Sequence, residues 1–219
     1  MKITLLCNAG LAIEAGGEIL LVDLPNDSVE PFYMLPEQIW QEICSGTGKY
    51  QHICGFYFTH DHADHLDRGR LQQYRGRAPV FVPEDDTRHG RMEWGRFAIE
   101  YQNVPHAPIP QPPAHVVTLI CTEGKSIYLA ADAALNWKEH DDFLRGRRAD
   151  IGIWNSMYLS RPETRALMER SAAKNYIYHM PLKPDEYGIW KKCERNFERY
   201  PDELKSVTVL DRYPSEIEI

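Results

Sequence analysis

The chain has 219 residues, which is enough for one sizeable hydrophobic core but short for two full domains. Its 25 Lys and Arg against 32 Asp and Glu give a formal net charge of −7, and a field of this sign repels nucleic acid. The cysteines form no CxxC pair, and no apolar run approaches the roughly 18 residues of a membrane span. We therefore expect a cytoplasmic protein that acts on a small molecule and has neither a nucleic-acid nor a membrane partner.

The first part of the chain predicts short strands with one helix among them. The strands are at 2–7, 11–15, 18–22 and 53–58, and the helix is at 36–44. Gly16-Gly17 is typical of a hairpin turn between the second and third strands. The strand at 53–58 is a continuous apolar run, which is the pattern of a strand buried on both faces.

The remainder of the chain alternates predicted strands and helices. Strands are predicted at 79–82, 96–104, 115–121, 126–131, 150–154, 175–179 and 206–210, and helices at 67–74, 162–174 and 184–199. In the last helix Ile189, Trp190, Cys193 and Phe197 share one stripe at helical spacing, which indicates a core face. This order predicts an α+β fold of two mixed sheets packed together with helices outside, as a single domain over 1–219.

The most informative stretch is Phe58-Thr-His-Asp-His-Ala-Asp-His65, at the carboxyl end of the predicted buried strand. Loops at such strand ends are where ligands bind in layered proteins that contain parallel strands. His60 and His62 point to the same side of an extended segment, because side chains alternate with period two. Asp64 and His65 follow in a turn, from which they can reach a second ion. Imidazole nitrogen and carboxylate oxygen are good zinc ligands, so the stretch predicts a metal site.

This stretch, after a buried strand, resembles the signature of the metallo-β-lactamase-fold hydrolases. The resemblance covers roughly residues 1–180 by the order of elements. Asn8-Ala9-Gly10 followed by a hairpin and Asp23 resembles the family's opening, and Tyr178-His179-Met180-Pro181 resembles its late strand-end histidine. Ala130-Ala131-Asp132-Ala133 stands where the family usually has Gly-Asp-Thr. The compact length and the early hairpin most resemble the ascorbate-phosphate lactonase and small phosphodiesterase branch.

The resemblance implies a four-layer αββα sandwich with a dinuclear metal site. It assigns the ligands by position: His60, His62 and a third histidine for the first ion, Asp64, His65 and His179 for the second, and Asp132 as the bridge. The two divalent ions would be zinc, with manganese or iron as alternatives.

The third histidine is either His106 or His115. Val104-Pro105-His106 resembles the family's pattern and lies in a loop that prolines stiffen, whereas His115 begins the next predicted strand. We favour His106.

The resemblance further implies a hydrolase in which a metal-bridged hydroxide attacks a phosphodiester, lactone or thioester of a small anionic substrate. Asp64 or Asp132 would act as the catalytic carboxylate that manages the proton. Two alternatives remain: a mononuclear iron oxygenase of the same fold, and a non-catalytic metal-binding protein.

Several residues outside the ligand set also carry expectations. Asp23 is expected to accept a hydrogen bond from a ligating histidine. Candidate substrate contacts, each in a predicted loop or at a strand end, are Asn8, Asn136-Trp137, Asn155 and Lys183. Three histidines have no motif around them and are expected to be solvated or to cap helices: His52, His89 and His140.

Overall fold

Two mixed β-sheets form the centre of the protein, whose structure is a computed structural model that describes residues 1–217. In chain order the strands are β1 (Lys2–Leu5), β2 (Leu11–Ala15), β3 (Glu18–Val22), β4 (Ile53–Tyr57), β5 (Val80–Phe81), β6 (His89–Trp94), β7 (Phe97–Asn103), β8 (Val116–Thr122), β9 (Lys125–Ala131), β10 (Ala149–Asn155), β11 (Ala172–Tyr178), β12 (Val207–Val209) and β13 (Ser215–Ile217). The last two residues of the predicted domain 1–219 lie outside the described residues.

Helices connect many of these strands. They are α1 (Glu37–Ser45), α2 (Arg68–Leu71), α3 (Trp137–Leu144), α4 (Pro162–Ser171) and α5 (Ile189–Arg199), with short 3-10 helices at Gly48–His52 and Ser156–Ser160. Within residues 1–217 no helix is both long and apolar enough to cross a membrane.

Each sheet combines an antiparallel half with a parallel half. The first sheet has the order β13-β1-β2-β3-β4-β5, and β3, β4 and β5 run parallel. The second has the order β12-β11-β10-β9-β8-β7-β6, and β9 to β12 run parallel. Parallel neighbours end at the same edge of their sheet, so the loops that follow these strands collect there.

Strand β9 shows how the sequence divides the interior into layers. Ile127 and Leu129 are fully buried in the core between the sheets, together with Leu5 and Leu20 of the first sheet. Tyr128, between them in sequence, faces the opposite side of the second sheet, because successive side chains alternate across a strand. Complete burial of one such aliphatic side chain contributes about 1.5–3 kcal/mol.

Helices cover the outer faces of both sheets. On the first sheet, Trp40 and Ile43 of α1 pack in one cluster with Phe56 of β4. On the second, Phe143 of α3 and Leu167 of α4 pack in the cluster that contains the outward-facing side chains of β9. The predicted αββα arrangement of two mixed sheets is therefore confirmed.

The sequence patterns do not predict β6, α3 or β13. Strand β6 reads HGRMEW, with fully exposed residues alternating with partly exposed ones. It is an edge strand that depends on backbone pairing with β7, where His89 lies opposite Gln102 and Trp94 opposite Phe97. Pairing of this kind leaves little trace in hydrophobic periodicity.

Three predicted helix boundaries are wrong. The helix predicted over 67–74 ends at Leu71. The helix predicted over 162–174 ends at Ser171, because Ala172 already pairs in parallel with Ala149 of β10. The helix predicted from 184 begins only at Ile189. Gly188 before it has a φ of 68°, in the left-handed region that favours glycine, so the helix cannot extend back through it.

Candidate metal centre

The predicted ligands meet where parallel strands of both sheets end. Asp23 directly follows β3, the stretch Thr59–His65 follows β4, Asp132 follows β9, and His179 follows β11. Each side chain therefore owes its place to a buried strand that stops just before it. This explains how residues far apart in sequence come together.

The loop that carries His106 is fixed to this edge by backbone contacts. His106 forms an isolated antiparallel bridge with Ala133, next to Asp132. The nitrogen of Ala107 donates to the carbonyl of Asp132 at 2.7 Å, and the nitrogen of Ala134 donates to the carbonyl of Pro105 at 2.7 Å. These bonds place the His106 loop beside the Asp132 loop.

The side chains form three overlapping groups whose ligand atoms lie within 4.8 Å of one another. The groups are His60, His62 and His106; His60, His65 and Asp132; and Asp64, His65 and His179. Because they share members, the groups make one continuous cluster. All seven residues predicted as ligands belong to it, and His106 is one of them.

Asp132 lies at the centre of this cluster. Its Oδ2 is 3.6 Å from Nε2 of His179, 3.7 Å from Nε2 of His65 and 3.9 Å from Nε2 of His106. One carboxylate oxygen therefore faces His106 of the first group and both His65 and His179 of the third group. A bridging ligand requires this placement.

The ligand atoms of Asp64, His65 and His179 lie close together. His179 Nε2 is 2.9 Å from Asp64 Oδ2 and 3.1 Å from His65 Nε2. The amide nitrogen of Asn8, which is fully buried, lies 3.3 Å from the same Asp64 oxygen and 3.2 Å from His179 Nε2. Asn8, a predicted substrate contact, therefore borders this group.

A hydrogen bond at Nδ1 of His60 leaves Nε2 as the free imidazole nitrogen. Thr59 Oγ1 donates to Asp23 Oδ2 at 2.8 Å, so it can only accept from His60 Nδ1, 3.0 Å away. His60 Nε2 is left as a buried lone pair without a partner. His106 repeats the pattern, since Nδ1 donates to the carbonyl of Ala107 at 2.7 Å and Nε2 is buried and unpartnered.

Such lone pairs fit a divalent cation. A buried acceptor without a donor costs about 1–3 kcal/mol, and coordination to a metal removes that cost. Metal-binding histidines usually donate their second ring nitrogen to a carbonyl or a carboxylate, as His106 does to a carbonyl here. The donor set of imidazoles and carboxylates suits zinc.

Asp23 supports the cluster from beneath and is fully buried. Its Oδ1 accepts from the backbone nitrogen of Thr59 at 2.7 Å. Its Oδ2 lies 3.1 Å from His65 Nδ1, within ion-pair range, although this nitrogen makes no well-aligned hydrogen bond. Asp23 thus lies next to a predicted ligand, as expected, but the hydrogen bonds that it accepts come from Thr59 and not from a histidine.

The two carboxylates of the cluster are held ionised. Burial raises the pKa of Asp132, but His179 and His65 outweigh burial and hold that pKa well below its usual range. Burial likewise raises the pKa of Asp64, but the hydrogen bond with His179 and the charge on His65 lower it to about 2. Both carboxylates are therefore available in the ionised form that a metal ion binds.

The histidines divide into two sets. Burial lowers the pKa of His65, yet Asp23 and Asp132 outweigh burial and raise it well above its usual value. Burial also lowers the pKa of His179, yet Asp132 and Asp64 raise it. Burial and neighbouring histidines lower the pKa of His60 and His62. Protons on His65 and His179 thus balance the carboxylates when no metal ion does.

His115 lies beside the cluster but belongs to none of its three groups. Its ring centroid is 5.2 Å from that of His60 and 5.7 Å from that of His106. Nδ1 donates to the carbonyl of Val104 at 3.1 Å, while burial lowers the pKa of His115 to about 3.

One expectation about histidines is wrong. His140 is fully buried, not solvated, and its ring nitrogens face the hydroxyls of Tyr128 and Tyr158. Tyr158 also donates to the carbonyl of Ala133, beside Asp132. His140 lies with Phe143 and Leu144 on the buried face of α3, a helix that the sequence patterns do not predict. His52 and His89 are exposed, as expected.

The remaining predicted contacts fall at different places. Asn155 lies behind the cluster and donates to Asp132. Asn136 and Trp137 line a cleft beside Asp132. Lys183 is exposed, and its Nζ lies 3.9 Å from the centroid of the Trp190 ring.

Comparison with known proteins identifies other proteins that share this fold. No protein-family model matches the chain, and no curated protein matches it by sequence. Solved structures do match. A possible metal-dependent hydrolase from Veillonella parvula has a TM-score of 0.75 at 14% identity, over 100% of this chain and 99% of that one.

Two further structures agree with this match. An isothiocyanate hydrolase from Delia radicum gut bacteria has a TM-score of 0.70 at 15% identity, over 100% of this chain and 99% of the other. The metallo-β-lactamase fold protein YhfI from Bacillus subtilis has a TM-score of 0.66 at 15% identity, over 99% of each chain. At these identities the similarity establishes the fold alone: the chain has the metallo-β-lactamase fold.

Proposed function

We propose that this protein is a metal-dependent hydrolase of ester-type bonds. The observation that carries the proposal is the cluster of seven buried or half-buried side chains in which one carboxylate oxygen, Oδ2 of Asp132, lies within 3.9 Å of three histidines. His60, His62 and His106 would hold one divalent ion and Asp64, His65 and His179 the other. Two ions bound here would supply Lewis acidity and a water of lowered pKa.

The chain's own carboxylates would manage the proton. The pKa values of Asp64 and Asp132 are both lowered, so both side chains are ionised at neutral pH. Oδ1 of Asp132 already accepts a hydrogen bond from Asn155, which leaves Oδ2 for the reacting region. Asp64 is partly exposed, so it is the better placed of the two to accept a proton and release it to solvent.

The comparisons support the general class and leave the substrate to experiment. Metal-dependent hydrolases are among the proteins that share the fold. We propose zinc as the resident ion, since a zinc-bound PqqB from Methylobacterium extorquens also has this fold. A phosphodiester, a lactone and a thioester are the candidate bonds, in a small anionic substrate of a cytoplasmic enzyme.

Iron chemistry is the second candidate. The diiron β-hydroxylase CmlA from Streptomyces venezuelae matches over 100% of this chain, although the match spans 54% of CmlA. Imidazole and carboxylate ligands bind iron as well as zinc. Manganese would be compatible with hydrolysis.

Metal analysis of the purified protein tests both candidates. Protein prepared without added metal should contain two zinc or manganese ions per chain and should hydrolyse at least one of the three bond types. One iron per chain, with oxygen consumption and no hydrolysis, would contradict the proposal. A chain with bound metal and neither activity would indicate the non-catalytic alternative.

A further inference from the structure

A cleft of about 690 Å³ opens beside the metal centre, on the side of Asp132 and His106. Small and apolar residues supply most of its lining: Ala107, Pro108, Ala134, Leu135, Trp137 and Met157. The proposed hydrolase site assigns no part of the substrate to this space.

The cleft is continuous with the candidate site through the backbone. Ala107 follows His106, and its nitrogen donates to the carbonyl of Asp132 at 2.7 Å. Ala134 lies two residues after Asp132, and its nitrogen donates to the carbonyl of Pro105 at 2.7 Å. A group in this cleft therefore rests against the two segments that present two of the candidate ligands. A substituent attached next to the reacting bond of the substrate would occupy this position.

The wall of the cleft is suited to an uncharged apolar group. Trp137 leaves 37% of its surface exposed, and its ring lies 5.6 Å from Lys138 Nζ and 5.7 Å from the Arg170 guanidinium. Arg170 is itself held by two hydrogen bonds to Asp141, so the indole has a fixed neighbour. Met157 is half-buried and flexible, which allows a cleft to adapt to different apolar shapes.

Charge in the cleft is balanced. Arg161 and Glu163 are its charged lining residues, both are exposed, and their formal charges cancel. A second cleft of about 520 Å³, near His179, differs in this respect, because Glu30, Lys183 and Glu186 line it beside Tyr187. That second cleft also has apolar lining residues, Pro31, Phe32, Leu182 and Pro184, so the two clefts differ in their charged residues.

We infer that the cleft beside Asp132 binds an uncharged aryl or branched alkyl substituent adjacent to the scissile bond of the substrate. The inference rests on the proposed hydrolase function, because it names the substrate class of the same site. An aromatic group would stack on Trp137 and contact Leu135 and Met157, and the water it displaces from these surfaces favours binding. The polar reacting end would remain at the metal centre.

The test compares pairs of substrates that share one scissile bond and differ in the substituent. Methyl phenylacetate and methyl acetate form one pair, and the γ-lactones with a phenyl or a methyl group on the ring form the other. Hydrolysis consumes water, breaks the acyl carbon–oxygen bond and releases an acid, so proton release follows both pairs. We expect kcat/KM to be at least about tenfold higher for the phenyl member, a preference within the range that apolar pockets give.

Variants then assign the preference to this cleft. Trp137→Ala should reduce the phenyl preference to under about threefold, whereas Trp137→Phe should keep it, because an aromatic wall remains. Met157→Trp should fill the cleft and remove the preference. Tyr187→Ala, in the second cleft, is the matched control and should keep the full preference. Metal content should be equal in all four variants.

A preference that survives Trp137→Ala, or that disappears in Tyr187→Ala, overturns the inference. If no member of either pair is hydrolysed, the proposed hydrolase function fails for these bonds, and binding decides the inference separately. Saturation-transfer NMR with 2-naphthol, a neutral aromatic probe, should then show contact with the wild-type protein and loss of contact in Trp137→Ala. Equal contact in both proteins overturns it.

Discussion

Asn155 Nδ2 donates a hydrogen bond of 2.7 Å to Asp132 Oδ1, while the other oxygen of this carboxylate faces three histidines. The amide cannot turn over without loss, because Asn155 Oδ1 accepts from the backbone nitrogen of Met157 at 3.2 Å. Asn155 and Asp132 are both buried. Asn155 therefore limits Asp132 to presenting a single oxygen to the metal centre.

Replacement of Asn155 should leave the Asp132 carboxylate free to change its orientation. We expect Asn155→Ala to weaken zinc binding by about 10–100-fold, the range typical for residues that orient a metal ligand. Asn155→Asp should weaken it further, because a second carboxylate would face Asp132 at hydrogen-bond distance. Competition with a chelator measures the affinity. Asn196→Ala, which changes a half-buried asparagine on α5, is the control. Equal zinc affinity in Asn155→Ala and wild type would contradict this role.

His62→Ala should remove nearly all hydrolysis and leave the fold intact. The side chain is half-buried in a loop, whereas the core is built from strands such as β4. We expect zinc content to fall with an unchanged circular-dichroism spectrum. His52→Ala, which changes an exposed histidine, should retain both metal and activity. A His62→Ala protein that kept its metal and its activity would refute the hydrolase proposal.

The two candidate third histidines should respond differently to substitution. His106→Ala should lower the zinc content far more than His115→Ala, because Nε2 of His106 belongs to the ligand groups and that of His115 does not. His115→Ala should instead lower the free energy of unfolding, by about 1–3 kcal/mol, since it leaves the carbonyl of Val104 without its buried donor. Metal analysis and chemical denaturation of both variants measure the two effects. A reversed order of metal loss would assign the site to His115.

Local patterns in the sequence were sufficient for the ligand stretch. The apolar run at 53–58 predicts β4, and the period-two rule places His60 and His62 on one side, where their rings lie 4.7 Å apart. The carboxyl-end rule for parallel strands then predicts where Asp132 and His179 lie. These features depend on a few neighbouring residues or on one general rule of topology.

The features that the sequence did not predict depend on long-range contacts. The hydrogen bond between Asn155 and Asp132 joins residues 23 positions apart. The burial of His140 requires tyrosines on β9 and in the 3-10 helix that begins at Ser156. A lone asparagine or histidine has the same local pattern whether it is solvated or buried. Its partner decides between these states, and the partner is known only once the strands have paired.

The last prediction concerns pH, and its sign follows from the metal-free cluster. The pKa values of His65 and His179 are raised by folding. Their protonated forms therefore stabilise the metal-free protein fully below the unfolded pKa of about 6.5, and this stabilisation is lost as pH rises through the raised folded values. Zinc binding needs the same histidines neutral, so zinc competes with these protons.

The stabilisation by zinc should consequently grow with pH. We expect the difference in Tm between zinc-loaded and chelator-treated protein to be small below the unfolded pKa of about 6.5 and to grow as pH rises through the raised folded pKa values of His65 and His179, where their protons leave. More zinc should shift the acid loss to lower pH by mass action. Calorimetry in buffers of different ionisation enthalpy should also show proton release on zinc binding near neutral pH. A Tm difference that is the same at every pH, with no proton release, would mean that His65 and His179 are not ligands.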